Sequence, residues 1–193
     1  MVMLSGIAFA AFPAGHGAAH AEMGFFLRER LVGYLRELGY GALEVDAVLE
    51  ARVARWAELP DRLAAVRAFT ALPEAAALAA ANKRVGNILK KSDAPAGDAL
   101  AAGVDAALLQ EPAEVALHAA LALAAPRAEA AFAACDYTAS LLALAVLRGP
   151  VDSFFDSVMV NAEDPLLRAN RLALLGQLHR AMNRVADLSR LAA

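Results

Sequence analysis

The sequence has a single cysteine and few aromatic residues. Cys135 has no second cysteine in the chain with which to form a disulfide, and a lone cysteine fits a reducing compartment such as the cytoplasm. We expect it to be a small core residue. Aromatic residues make up 6% of the 193 residues, whereas 60% are hydrophobic, mostly alanine and leucine. Alanine and leucine favour helices, and the β-branched residues that favour strands are scarce. The composition therefore predicts an all-α domain.

The sequence also lacks the patterns that mark a catalytic centre. It contains no glycine-rich phosphate loop, no cysteine and histidine cluster with metal-ligand spacing, and no set of nucleophile, base and acid. Its carboxylates are scattered, so spacing favours no pair for acid–base chemistry. His118 stands among alanines and leucines, where we expect a packed or half-exposed imidazole. We predict no catalytic residue, no metal ligand and no cofactor in this chain.

Residues 1–23 differ in character from the rest of the chain. An apolar run over 3–12, a break at Pro13 and the small residues around His20 are typical of an export signal. However, no positive charge precedes the run, and the run is too short to span a bilayer. We interpret 1–23 as an irregular or non-native leader, with an exported helical protein as the alternative.

Residues 24–193 show the period of packed helices. Apolar residues at three- and four-residue steps predict a first helix over 24–40, closed by Gly39. The turn-rich segment 92–103 predicts a flexible linker. Further start and stop signals are Pro60, Pro112, Asp136 and Asp164 at helix starts, Pro126 as an end or kink, and a last helix over 166–191.

Positive charge is concentrated in two segments, although the net charge is −3. All three lysines lie within 83–91, and residues 82–91 carry +4. Residues 165–193 carry five arginines against one acid, again +4, so the remainder is at −11 (−3 minus 8). An acidic body with two basic segments is the distribution that a localised anion-binding face requires.

The first basic segment is the helix around 81–91. On a helix, Lys83, Asn87 and Lys90 share one face, and Arg84 and Lys91 lie on the adjacent face. Cationic and amide side chains suit phosphate oxygens and base edges. The alternative is a solvated helix end, where lysines are favoured by the helix dipole.

The second basic segment follows an aromatic pair. We expect Phe154 and Phe155 to be core residues, although one of them could form a platform on which a base stacks. Two arginines follow in the last helix, Arg168 and Arg171. Arg171 lies at the edge of the inward stripe, so it must pair with a carboxylate or keep its guanidinium in water.

Five stretches of the chain closely resemble the C-terminal end of the β subunit of bacterial tetrameric glycyl-tRNA synthetase. The most informative are ANKRVGNILKKSD at 81–93 and VDSFFDSVMVNAEDPLLRANRLALL at 151–175. The others are FLRERLVGYLRELGY at 26–40, EPAEVAL at 111–117 and VADLSRL at 185–191. The stretches follow the order of the family, whereas residues 1–23 do not resemble the family's sequence at that place.

The resemblance implies a helical bundle similar to the anticodon-binding, DALR-type domain of arginyl-tRNA synthetase. It implies that this bundle contacts the anticodon arm of tRNA-Gly, while ATP, magnesium and the chemistry belong to the α subunit. The α subunit would be reached through parts of the β subunit that this chain lacks. No membrane partner is implied. The expected tRNA-binding residues are Asn82, Lys83, Arg84, Asn87, Lys90, Lys91, Arg168 and Arg171, with Asn161 and Asn170 as further candidates. The alternative is an interaction bundle that binds no RNA.

Overall fold

The computed structural model describes residues 17–51, 53, 55–92 and 103–192. Over these residues the chain forms helices and no strands, which confirms the predicted all-α class. The helices are α1 (Gly17–Glu37), α2 (Ala42–Glu50), α3 (Leu59–Thr70), α4 (Ala75–Lys91), α5 (Pro112–Ala133), α6 (Tyr137–Leu142), α7 (Arg148–Ser157) and α8 (Pro165–Met182). Short 3-10 turns occur at Trp56–Glu58, Ala106–Leu108, Ala145–Leu147 and Leu188–Leu191. Most of the predicted 1–23 leader and of the 92–103 linker lies outside the described residues.

Helix α8 lies at the centre of the bundle. It packs against α4 and α5, while α3 packs against α2 and α6. The last 3-10 turn, Leu188–Leu191, covers α2 and α4 and thereby connects the end of the described chain to its first half. The largest fully buried side chains are Leu63, Phe69, Leu78, Leu117, Leu141, Leu144, Leu147, Phe154, Leu174, Leu175, Leu178 and Met182.

Several helix starts lie where the sequence predicts them. Asp136 and Asp164 are N-caps whose carboxylates accept the backbone N–H of Ala139 and Leu166. Pro112 occupies the first turn of α5, where its missing N–H is not needed. Gly39 follows the end of α1 with a φ of 84°, a conformation that favours glycine.

Helix α5 does not end at Pro126 but continues through it; Pro126 is exposed, so the carbonyl left without a donor can meet water. Three local predictions were wrong. Helix α1 begins at Gly17, seven residues before Gly24. Helix α8 ends at Met182 rather than near 191, because the side chain of Asn183 donates to the carbonyl of His179. Cys135 is exposed rather than buried. It has a φ of 61° where the chain leaves α5.

Two stretches are long and apolar enough, by length and composition alone, to cross a membrane. They are Pro112–Ala133 and Tyr137–Ser157, each with a mean hydropathy of 1.2. The second is not one helix here, because it comprises α6, a 3-10 turn and α7. Both stretches contribute to the core, through residues such as Leu117 and Leu147. The absence of a membrane partner stays a prediction.

Candidate nucleic-acid interface

Helix α4 presents five of the predicted contact residues on its outer side. Lys83, Arg84, Asn87, Lys90 and Lys91 are all exposed. Among the residues that the structure describes, no carboxylate forms an ion pair with any of these four cations. The two basic faces predicted from the helical period therefore form one open surface, which we call the α4 face.

Asn82 does not belong to the α4 face. It is fully buried, and its amide Nδ2 donates to Asn183 Oδ1 at 2.8 Å, while Asn183 Nδ2 donates back at 3.0 Å. The helical period explains this position, because residue 82 is three residues from Val85 and seven from Leu89, which both face the core. We correct its predicted role: Asn82 fixes α4 against the end of α8.

A groove of about 710 Å³ runs beside the α4 face. Lys83, Asn87 and Lys90 form one side of it, and residues of α2 and of the C-terminal turn form the other. Gly86 and His179 lie between the two sides. Burial lowers the pKa of the His179 imidazole; Asp187 opposes this shift, and the Lys90 ammonium adds to it. His179 is therefore neutral at physiological pH.

Carboxylates line the far side of this groove. Asp46 lies 3.4 Å from Arg190 Nη1, and Glu50 lies 3.6 Å both from Arg190 Nη2 and from Arg28 Nη2. Asp187 accepts the N–H and O–H of Ser189. The two sides of the groove thus differ in charge: the lysines on α4 form no ion pair with a carboxylate in the described part of the chain, and the carboxylates opposite are paired with arginines.

The outer edge of the α4 face meets the aromatic pair of α7. The Arg84 guanidinium lies 4.1 Å from the ring centroid of Phe155, which is half-buried. Phe154 is fully buried and packs edge-on against Phe155 at 5.6 Å. Phe154 is thus the core residue that the sequence predicts. The Arg84 cation covers one face of the Phe155 ring, so that face is not open to a base.

Arg171 is also not a surface residue. Only 6% of it is exposed, and its Nε donates to Glu114 Oε1 at 2.7 Å. Its Nη1 donates to the carbonyl of Met159 at 2.8 Å. Of the two outcomes expected for an arginine at this position, pairing with a carboxylate is the one found. Arg171 therefore holds the bundle together, and its predicted contact with tRNA is corrected.

Arg168 is exposed but lies away from the α4 face. Its Nη1 donates to the carbonyl of Ala162 at 3.1 Å, in the turn before α8. Helices α4 and α8 run antiparallel, because Asn82 meets Asn183 and Gly86 meets His179. Arg168 precedes His179 by eleven residues, about 16 Å along the axis, whereas α4 extends only five residues, about 8 Å, past Gly86; Arg168 therefore lies beyond the Lys91 end of the α4 face.

The remaining asparagine candidates differ in their surroundings. Asn170 is buried and exchanges hydrogen bonds with the backbone of Asp105, so it is structural. Asn161 is exposed in the turn before α8. The structure therefore leaves Asn161 as the surface candidate of the two.

The second basic segment is largely neutralised by pairing. Arg171 is paired with Glu114, Arg184 with Glu129 at 2.9 Å, and Arg190 with three carboxylates. A charge count along the sequence therefore overstates this segment as an anion site. For α4 the same charge count is a good guide, because its four cations form no ion pair with a described carboxylate.

Sequence reasoning missed Gly86 and His179. The two residues are 93 positions apart, and they meet only because α4 and α8 pack antiparallel. The helical period places each on its own helix but does not determine which helices are neighbours. The inward-facing Asn82 is the one signal that could have aligned them, since a buried amide needs a partner, which here is Asn183.

The fold and the α4 face define the class of this protein. Residues 78–188 match the family model described as the DALR anticodon binding domain. This range is more than half of the chain, so the chain belongs to the DALR anticodon-binding domain family. The resemblance found in the sequence is confirmed at this level.

Individual proteins with similar sequences give a more specific comparison than the family model. The chain is 63% identical over 191 residues to the glycine–tRNA ligase beta subunit of Thiobacillus denitrificans, in an alignment that takes in 98% of this chain and 27% of that protein. It is 62% identical over 179 residues to the glycine–tRNA ligase beta subunit of Dechloromonas aromatica, covering 93% and 25%. The chain thus spans about a quarter of the length of these relatives. The first alignment extends into residues 1–23, where no resemblance was expected.

Proposed function

We propose that this chain is the anticodon-arm-binding module of a glycine–tRNA ligase β subunit, acting in the cytoplasm. In this role it grips tRNA-Gly and supports glycylation that the α subunit catalyses with ATP and magnesium. Contact with the α subunit would run through other parts of the β subunit. The observation that carries the proposal is the α4 face, which lies inside the matched range 78–188 and holds every lysine of the chain.

Charge and chemistry support RNA as the ligand of this face. Four cations on one open helix surface attract phosphates and release counterions, which favours binding most at low salt. Asn87 stands among them and can donate to and accept from an exposed base edge. The body of the protein is acidic, so RNA would be directed to the α4 face and away from other surfaces. Arg168 would contact a more distant part of the same arm.

The test is fluorescence anisotropy with tRNA-Gly, a non-cognate tRNA and a salt series. We expect tRNA-Gly to bind more tightly than the non-cognate tRNA, with affinity falling as salt rises. Lys83→Ala and Lys90→Ala together should weaken binding about tenfold or more at low salt. Arg36→Ala together with Arg127→Ala is the matched control, because both arginines are exposed, on α1 and α5, and the double variant loses the same two positive charges elsewhere. Equal losses for both variants, or no binding to either tRNA, would refute the proposal.

A second candidate function is favoured by the first helix. Phe25, Phe26, Tyr34 and Leu38 on and next to α1 are 64%, 53%, 58% and 55% exposed. An apolar surface of this kind fits an interaction bundle that contacts another protein segment. Analytical ultracentrifugation over a concentration series tests it, since self-association that Phe25→Ser and Phe26→Ser abolish would support this role.

A further inference from the structure

Gly86 lies in the interior of α4, and steric crowding does not explain why this position lacks a side chain. A methyl group at this position would lie 3.6 Å from Nε2 and 3.9 Å from Cδ2 of His179, which is ordinary van der Waals contact. Alanine would therefore fit, and it is more stable than glycine inside a helix. What alanine would change is the groove, because Gly86 lines it next to His179. The glycine keeps this space open.

The surfaces around this space suit a nucleobase. His179 is a half-buried, flat imidazole that is neutral at physiological pH, and unstacked bases pack on histidine in RNA-binding proteins. Asn87 projects from the rim one residue after Gly86, with a donor and an acceptor for a base edge. The groove of about 710 Å³ is in the size range of small-molecule sites.

The charges on the two sides of the groove favour one placement of the RNA backbone. Lys83 and Lys90 border the groove on the α4 side, and each can bind a phosphate. Asp46, Glu50 and Asp187 line the opposite side together with Arg190, which pairs with all three, so three carboxylates face one lining cation there. A phosphate is therefore favoured on the α4 side, where the RNA backbone would lie, and an uncharged base is favoured inside the groove.

From these observations we infer that the groove between α4 and the C-terminal turn holds one unstacked nucleobase of the bound tRNA. Gly86 provides the room, His179 the stacking surface and Asn87 the contact to the base edge. Lys83 and Lys90 hold the flanking phosphates. This inference rests on the proposed function, because it assigns one nucleotide of the same RNA to a defined place.

The experiment combines a protein variant with an RNA variant. Binding of the 193-residue chain is measured with the anticodon stem-loop of tRNA-Gly and with stem-loops that carry a single abasic site at each loop position in turn. For the unmodified chain, one abasic position should weaken binding roughly tenfold, since stacking of one base is of that size. Gly86→Ala should weaken binding of the intact stem-loop similarly, and the penalty at that abasic position should disappear.

Matched controls separate the groove from general effects. Gly33→Ala makes the same change at an exposed position inside α1, where a methyl group meets nothing within 4 Å. It should keep the binding and every abasic penalty of the unmodified chain. The melting temperature of Gly86→Ala should not be lower than that of the unmodified chain. Asn87→Ala should remove the preference among bases at the sensitive position.

The possible results separate the proposed function from the groove assignment. If the unmodified chain binds neither tRNA-Gly nor the stem-loop at low salt, the proposed function and the groove assignment both fail. If it binds but Gly86→Ala binds equally well, the proposed function stands and the groove assignment fails. The assignment also fails if Gly86→Ala weakens binding while all abasic penalties persist, because no base then depends on the groove.

Discussion

The guanidinium of Arg171 donates a 2.7 Å hydrogen bond to the carboxylate of Glu114 inside the bundle. Glu114 has no exposed surface, and its second oxygen accepts the backbone N–H groups of Gln110 and Glu111. Arg171 also donates to the carbonyl of Met159. One buried ion pair therefore joins the start of α5, the turn after α7 and the middle of α8.

Removing the arginine should destabilise the fold. Arg171→Met leaves Glu114 as an uncompensated buried charge, and we expect the free energy of unfolding to fall by about 3–5 kcal/mol. Urea unfolding followed by circular dichroism measures this. The double variant with Glu114→Leu should recover part of the loss, because it removes the stranded charge as well. A stable Arg171→Met protein with weakened tRNA binding would instead support the contact with tRNA that the sequence predicts for Arg171.

The same pair should make the protein sensitive to acid. Burial alone would raise the pKa of Glu114, but hydrogen bonds from Arg171 and from the N–H groups of Glu111 and Gln110 lower it below the usual 4.5. The folded form thus binds the proton more weakly than the unfolded form. The stability from this group is present above about pH 4.5 and is lost as the pH falls through the folded-state pKa.

Urea unfolding between about pH 6 and pH 3 measures this dependence. Glu44 and Glu58 also have lowered pKa values, so the unmodified chain loses stability from several groups. The difference between the unmodified chain and Glu114→Gln isolates one of them. Parallel pH curves for the two proteins would contradict the prediction.

Substitutions at the neighbouring positions Asn82 and Lys83 of α4 should affect different properties: the first stability, the second tRNA binding. Asn82→Ala removes a buried amide and its hydrogen bonds to the half-buried Asn183, so we expect a loss of about 1 kcal/mol of stability. Lys83→Ala changes an exposed side chain and should stay within about 0.5 kcal/mol of the unmodified chain. In tRNA binding, Lys83→Ala should reduce the slope of log affinity against log salt by about 1. Thermal unfolding and the salt series check both, and a destabilised Lys83→Ala would contradict this division.

Cys135 offers a site for stabilisation. It has a φ of 61° where α5 ends, and its N–H donates to the carbonyl of Phe132 while that of Asp136 donates to Ala131. Glycine favours this helix-ending conformation. Cys135→Gly should therefore raise the free energy of unfolding by about 1 kcal/mol, whereas Cys135→Ala should not. An equal effect of the two substitutions would mean that loss of the thiol is responsible.

The sequence predicts those parts of the fold that depend on neighbours in the chain. The caps at Asp136 and Asp164 and the prolines at helix starts act within one turn, so their residues suffice to place them. Which α4 residues face outward, and that Asn82 faces inward, also follows from the helical period, but the partner of Asn82 does not, because Asn183 is 101 residues away. The partners of Arg171 and Gly86 likewise come from distant helices, and no local pattern identifies them.

The contacts that hold α4 in place come from distant parts of the sequence, so the groove beside the α4 face depends on folding of the whole bundle. Asn82 bonds to Asn183 and Gly86 lies next to His179, partners that are 101 and 93 residues away along the sequence. Closing such long loops is entropically costly and is repaid only when the whole bundle forms. A peptide cut from α4 would carry every lysine of the chain but only one side of the groove, so the groove is a property of the assembled bundle.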